Sequence, residues 1–306
     1  MNTLSRYILA PLTASAVILT SFSNVAGAAP DPTTGVELNV GEDRFVAGAF
    51  SFNPSAGTTE GARALKELRS YMWDENPQFR GFKEDNYEGT LRDAARKEGI
   101  TTKEQYLNIS VDQDLNWIAI QRASEVTAYM AHKRPDGSQS TTATRNGRSL
   151  LMESLAVGTR NLDSTVVQNW GKRQLPNLIA NQGRATAYNT DLIHMIHPRH
   201  TVWGFGAVEN RSRSGFAAVT GNTLVTPGSA NGEKVSRYLH RAATESDTPT
   251  GVKTGTPPAQ DTQAPLSSGA VLNPAIIILI AAIPILLSLL AAVGQLGINL
   301  SSILLR

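Results

Sequence analysis

The sequence predicts an α/β sandwich with a C-terminal transmembrane helix, and three observations lead to this prediction. Segments whose apolar residues recur at helical spacing fill the first part of the body, whereas 201–208 and 215–220 alternate like two strands. Residues 36–40 alternate as well and offer a partner strand near the N-terminus. From 275 to 294 no residue is charged, and a helix of that length would span roughly 30 Å, the thickness of a hydrocarbon core.

Composition divides the chain into five parts. We predict a signal peptide at 1–28, an irregular segment at 29–58, one domain at 59–242, a flexible Pro/Thr-rich stalk at 243–270 and a hydrophobic membrane anchor at 271–306. Arg6 precedes an apolar run that ends in small residues, as in secretory signals. The stalk nearly lacks large apolar side chains and cannot offset the entropy of ordering. We therefore expect an extracytoplasmic protein that its C-terminal helix anchors to the cell membrane.

The absence of cysteine and the low net charge narrow the function classes. Without disulfides, an exported domain depends on its hydrophobic core for stability. The net charge is +2 and no block of Lys or Arg stands out, so we expect no nucleic-acid partner.

Apolar periodicity also predicts the individual helices. We expect them at about 59–72, 90–97, 102–107, 112–131 and 189–197, with shorter apolar-periodic segments at 150–156 and 163–170. The longest helix has Asp112 or Asp114 as its N-cap, and a single arginine, Arg122, interrupts its apolar stripe. Pro198 ends the last helix.

The most informative motif is His-Lys-Arg-Pro-Asp-Gly-Ser at 132–138, directly after the longest predicted helix. Glu153 lies in the next ordered segment. A histidine, a Pro-Asp-Gly turn and a following carboxylate can bring an imidazole and a carboxylate into one cleft. Such a pair is typical of metal and proton-transfer sites.

The order of these segments resembles the CAP superfamily of cysteine-rich secretory, antigen 5 and pathogenesis-related proteins, its bacterial branch above all. The matching motifs are Arg122-Ala123 in the long helix, the turn His132–Ser138, the segment Glu153–Ala156, and Met195–Pro198 followed by Trp203–Gly206. Met152 and Ser154 stand where the family has Gly and Asn. The resemblance covers roughly residues 60–220 and implies a three-layer α-β-α sandwich with a surface cleft.

In many members of this family, two histidines and two glutamates in the cleft can bind a divalent metal. By position, His132 matches the first histidine and Glu153 the first glutamate. Asp191 stands at the second histidine, and Arg173, counted from Trp170, stands at the second glutamate. The resemblance therefore implies a cleft in which one ligand is exchanged and another is reversed in charge.

The residues of this cleft allow two interpretations. His132, Glu153 and Asp191 could supply three ligands for zinc or calcium. Arg173 would instead repel a cation and favour a salt-bridged carboxylate, which predicts a polar cleft kept for structure. Trp203 is expected in the core or in the cleft wall.

Two further sets of residues suggest a chemical role. His194, His197 and His200 recur every three residues and could share a metal, but Pro198 separates the last of them from the helix. Ser154 invites comparison with a serine hydrolase, yet no Gly-x-Ser-x-Gly motif is present.

These observations lead to three function hypotheses. The first is an exported, membrane-tethered CAP-domain protein of a Gram-positive bacterium, such as an actinobacterium, that acts as a ligand-binding or interaction module at the cell envelope. Because some members of that family bind sterols or other lipids, the resemblance makes a lipid or other apolar molecule a candidate ligand. The second is a hydrolase in which His132 acts as base and Glu153 or Asp191 orients it. The third is a structural envelope protein that assembles through 271–306. The charged residues at 80–92 are interpreted as a solvated surface.

Overall fold

The computed structural model describes residues 34–211, 213–222 and 226–250. The predicted signal peptide at 1–28 and the predicted anchor at 271–306 lie outside the described residues, as does most of the predicted stalk.

Helices and strands alternate irregularly along the described chain. The helices are α1 (Ala62–Glu75), α2 (Leu91–Lys97), α3 (Lys103–Leu107), α4 (Gln113–Val126), α5 (Leu162–Ser164), α6 (Leu175–Ala180) and α7 (Thr190–Ile196). The strands are β1 (Phe45–Phe52), β2 (Ser110–Val111), β3 (Thr144–Arg145), β4 (Arg148–Ser149), β5 (Met152–Val157), β6 (Val202–Glu209), β7 (Ser214–Gly221) and β8 (Val235–Ala242). Single π-helical turns at Gly57–Gly61 and Thr165–Asn169 adjoin α1 and α5.

The strands form one main sheet and a separate two-stranded ribbon. The order in the sheet is β5-β7-β6-β1-β8, with every neighbouring pair antiparallel, and the short β2 adds to β6 in parallel. β3 and β4 form the ribbon. The sheet is therefore not built from the parallel strands that characterise α/β proteins, but is a mainly antiparallel sheet combined with helices.

Two predictions are corrected by the structure. None of the helices within the described ranges is long and apolar enough to cross a membrane. The predicted fold class, an α/β three-layer sandwich with a C-terminal transmembrane helix, is therefore wrong and is replaced by a mixed helix-and-sheet fold. The predicted localisation, an extracytoplasmic protein held to the membrane by that helix, is wrong on the same finding.

Helix α4 lies directly on one face of the sheet because glycines in β6 leave room for its backbone. A Cβ on Gly204 would come within 2.3 Å of the carbonyl oxygen of Leu115, and one on Gly206 within 2.4 Å of that of Ala119. Side chains of β6 alternate between the two faces of the sheet, so Trp203 points away from α4. It packs in one core cluster with residues of α1 and α7, whereas the apolar residues of α4 belong to a separate core cluster. The sheet thus carries apolar contacts on both faces.

Differences from the predicted elements fall mostly at the N- and C-terminal parts of the domain. Residues 36–40 contain no strand, whereas β1 and β8, which pair along their whole length, were not predicted. The apolar segment at 150–156 is strand β5 rather than a helix. Residues 243–250, which the sequence assigns to the stalk, follow β8 closely, and the N–H of Thr250 donates to the carbonyl of Phe45.

Candidate functional site

A fully buried arginine on α4 organises the site. Asp112 caps the helix by accepting from the N–H groups of the next turn, which fixes where α4 begins. Arg122 then faces β5 and binds both carboxylate oxygens of Glu153, through Nε (2.7 Å) and Nη2 (2.9 Å). Its Nη1 donates to Glu125 on the same helix at 2.5 Å. The bidentate geometry holds the Glu153 carboxylate in one orientation.

The same arginine folds the following chain back over the helix. Nη2 of Arg122 donates to the carbonyl of Ala131 at 2.9 Å. Helix α4 ends at Val126, whereas the sequence predicted that it continues to Ala131. The hydrogen bond from Arg122 satisfies the carbonyl of Ala131 outside the helix. The Pro-Asp-Gly turn follows, with Gly137 at φ 82°, a conformation that glycine adopts without strain. His132 is thereby placed beside β5.

A second buried ion pair lies behind the first. Arg134, the arginine of the His-x-Arg-Pro turn, donates through Nη2 to Glu125 at 2.7 Å, and both side chains are essentially inaccessible to solvent. Nη1 of Arg134 reaches the carbonyl of Glu37 at 2.7 Å. Buried charges are tolerated when each is paired and hydrogen-bonded, and here two arginines are interleaved with two glutamates. Of the motif at 132–138, Arg134 therefore lies inside the protein, whereas His132 and Lys133 are exposed.

His132 is the exposed member of this network. Its Nδ1 lies 3.1 Å from Oε1 of Glu153, whereas 73% of its side chain is accessible to solvent. The hydrogen bond to Glu153 raises the pKa of His132 above its usual 6.5, and partial burial opposes the rise only in part. The imidazole is thus held at one nitrogen by a fixed carboxylate while most of the ring faces solvent.

Asp191 lies near this pair and is held by a residue that the sequence did not single out. Nε2 of Gln174 donates to Oδ2 of Asp191 at 3.0 Å, and Oε1 of Gln174 accepts from the N–H of Leu192 at the start of α7. Burial raises the pKa of Asp191, while Gln174, Ser154 and the charge of His132 each act to lower it. Asp191 and His132 therefore interact electrostatically.

The structure places the other two predicted site residues elsewhere. Arg173 is exposed on the turn Lys172–Gln174, and no hydrogen bond or ion pair of its side chain is found within the described residues. The neighbouring Gln174 reaches Asp191 instead. Trp203 is completely buried, and its Nε1 donates to the carbonyl of His200 at 2.9 Å. Trp203 therefore belongs to the core beneath the site.

Ser154 points to the opposite face of β5 from Glu153, as alternation along a strand requires. Its hydroxyl lies 2.9 Å from Nδ1 of His194, and both residues are inaccessible to solvent. Burial keeps the pKa of His194 well below 6.5, so the ring stays neutral. A serine hidden in this way cannot reach a substrate without a rearrangement of the core.

The other two closely spaced histidines are neutral as well; His197 is buried and His200 is half-buried. Burial lowers the pKa of His197 to about 4 although Asp85 accepts from its Nε2 at 2.9 Å, and Arg69 adds to the lowering. Burial also lowers the pKa of His200 to about 3. The rings of His197 and His200 stack at 4.4 Å between centroids. These histidines pack the core below α7 rather than presenting ligands to solvent.

The described part of the chain offers no metal centre. No group of three or more His, Cys, Asp or Glu side chains within it could hold a metal ion, and this applies to His132, Glu153 and Asp191. Two of the four lone-pair directions of Glu153 are taken by Arg122, which carries the positive charge that a metal would otherwise provide. Comparison with protein-family models, curated proteins and solved structures gives no match to this chain.

Proposed function

We propose that this protein is a ligand-binding module whose recognition site is the cleft around His132, Glu153 and Asp191, and that it is a divergent member of the CAP superfamily. The observation that carries the proposal is the fixed but accessible imidazole of His132. Glu153 orients the ring of His132, and Arg122 holds the carboxylate of Glu153 in place. The ring can therefore bind a polar group with little further loss of side-chain conformational entropy.

The charges of the cleft favour binding over catalysis. Glu153 already accepts from Arg122 twice and lies against His132, so its carboxylate is occupied by the protein itself. Ser154, the hydroxyl residue adjacent to Glu153 in sequence, is buried. The raised pKa of His132 extends to higher pH the range in which the ring is protonated and can donate to an acidic or carbonyl group.

Exposed apolar side chains flank His132 and Glu153 in the sequence and indicate that part of the ligand is apolar. Tyr129 and Met130, which are 40% and 57% exposed, precede His132 closely in the chain. Leu151 is 53% exposed and lies in the bend just before β5, the strand that carries Glu153. A polar, proton-donating centre beside exposed apolar side chains suits a molecule with an acidic head and an apolar tail. Fatty acids and acidic lipids have this chemistry.

Binding of a dansylated fatty acid to the full chain, followed by fluorescence, tests the proposal. We expect saturable binding that weakens about tenfold in His132→Gln, since a charge-assisted hydrogen bond is lost. Lys133→Gln is the matched control, because it removes an exposed charge from the same turn without touching Glu153. Absence of saturable binding, or equal weakening in both variants, would contradict the proposal.

A hydrolase remains the second candidate because a carboxylate-oriented imidazole is also the arrangement of a general base. The same variants separate the two functions when a chromogenic ester is supplied. Turnover that His132→Gln abolishes and Lys133→Gln preserves would favour the hydrolase. Fatty-acid binding with no turnover would favour the binding module.

A further inference from the structure

A second cavity lies on another part of the surface, between the loop 80–88 and residues 184–185, and has a volume of about 510 Å³. The N–H of Arg80 donates to the carbonyl of Gly183 at 2.8 Å and joins the two walls. Gly183 has φ 78°, and a Cβ there would lie 2.5 Å from the carbonyl of Gln78. The close approach of the two segments therefore depends on glycine at this position. We call this space the Arg80 cavity; its principal lining residues are Arg80, Phe82, Lys83, Tyr87, Glu88 and Arg184.

The loop that forms one wall is anchored to the core. The N–H of Phe82 donates to Oδ2 of Asp85 at 2.8 Å, and Asp85 in turn accepts from the buried His197. The ring of Phe82 is nearly parallel to that of His197, 5.9 Å away, and Tyr87 packs against the same histidine. The aromatic side chains of the cavity are thus supported from below, and the cavity does not rely on a loosely held loop.

Positive charge in the Arg80 cavity is not balanced by the protein. Arg80, Lys83 and Arg184 line it, and in the described ranges none of the three has a carboxylate within ion-pair distance. Of the two lining carboxylates, Asp85 is already bound by Arg199 and His197, which leaves Glu88 alone to oppose three cations. The local potential therefore favours an anion.

The guanidinium of Arg80 is not held by an acidic partner within the described residues. Its Nε is buried and has no hydrogen-bond partner among the described residues. Arg80 thus has no acceptor from the protein at its Nε, and no carboxylate within the described ranges holds its guanidinium, so its outer nitrogens are available to a ligand oxyanion. Arginine forks match carboxylate and phosphate oxygens in a planar, bidentate manner, and a second arginine, Arg184, lines the same cavity.

We propose that the Arg80 cavity binds a small molecule that carries a phosphate or carboxylate group on an aromatic or other apolar body. The volume lies within the range of roughly 300–1,000 Å³ typical of small-molecule sites and exceeds what a lone phosphate ion fills. Arg80 and Arg184 bind the oxyanion, Lys83 adds charge, and the body of the ligand packs against Phe82 and Tyr87. This site is independent of the cleft at His132.

Isothermal titration of the full chain with phenyl phosphate, inorganic phosphate and phenol tests the proposal. We expect phenyl phosphate to bind saturably, inorganic phosphate to bind more weakly and phenol not to bind. Arg184→Gln and Lys83→Gln alter exposed side chains and are expected to leave the melting temperature unchanged. The first should weaken phenyl phosphate binding about tenfold and the second severalfold, with affinity falling as salt is raised.

Arg160→Gln is the matched control, because Arg160 is exposed and lies outside the cavity lining. We expect it to bind phenyl phosphate as tightly as the unmodified chain. The proposal is overturned if phenyl phosphate shows no saturable binding, if phenol binds equally well, or if Arg184→Gln and Arg160→Gln have the same affinity.

Discussion

Arg122→Met is expected to lower the free energy of unfolding by about 3–5 kcal/mol, because it leaves the buried carboxylate of Glu153 without its arginine and leaves Glu125 with Arg134 alone. Glu125 and Glu153 are both inaccessible to solvent at their side chains, and each receives at least one hydrogen bond from Arg122. Methionine keeps most of the apolar volume, so the loss reports the charge and not a cavity. Urea unfolding at neutral pH, followed by circular dichroism, measures it.

The control for this experiment is Arg63→Met. Arg63 also contacts two carboxylates, Glu67 and Asp163, but its side chain is 59% exposed and theirs are 51% and 38% exposed. Water screens this surface network, and we expect a change of less than about 1 kcal/mol. Equal losses in Arg63→Met and Arg122→Met would show that the buried network does not stabilise the fold.

Arg69→Met is expected to cost about 4 kcal/mol for a different reason, namely the loss of hydrogen bonds to buried carbonyls. Arg69 is only 1% exposed and donates to three carbonyl oxygens at 2.6–3.0 Å: that of Met195 in the last turn of α7, and those of His197 and His200 beyond the end of the helix. A fourth hydrogen bond reaches Tyr106 at 3.2 Å. A cation at the C-terminal end of a helix is also favoured by the helix dipole.

Arg92→Met provides the comparison for Arg69→Met. Arg92 likewise donates to carbonyls at a helix end, those of Trp73 and Asp74 in α1, but it is only half-buried. Water can replace its hydrogen bonds, so we expect a loss of about 1 kcal/mol or less. Thermal and urea unfolding of both variants should differ accordingly; a loss for Arg69→Met as small as that for Arg92→Met would contradict the assignment.

Elements set by local chemistry could be predicted from the sequence. Asp112 caps α4 as expected, and Thr90 and Thr102 form capping boxes at the starts of α2 and α3. The end of α4 could not be predicted, because tertiary hydrogen bonds from Arg122 hold the chain that leaves it. The pairing of β1 with β8 was missed as well, since it joins segments from opposite ends of the domain.

The candidate site, like the fold, could be predicted only where it depends on local sequence and not where it depends on tertiary packing. A histidine and a carboxylate near each other were expected from the motif, and the structure places Nδ1 of His132 3.1 Å from Glu153. The interruption of the α4 stripe by Arg122 was visible in the sequence, but its bond to Glu153 depends on how α4 lies on β5. The role expected of Arg173 passes to Gln174, because side-chain direction on a short turn cannot be read from spacing.

The most direct test of the proposed cleft is a pH titration of the histidine side chains by nuclear magnetic resonance. We predict that His132 titrates with a pKa above 6.5, since Glu153 accepts a hydrogen bond from its ring. We also predict that the pKa of His194 lies well below 6.5, that of His197 at about 4 and that of His200 at about 3, since desolvation disfavours the charged ring at all three. A pKa for His132 at or below 6.5 would show that the imidazole is not held by Glu153, and would contradict the cleft on which the proposed function rests.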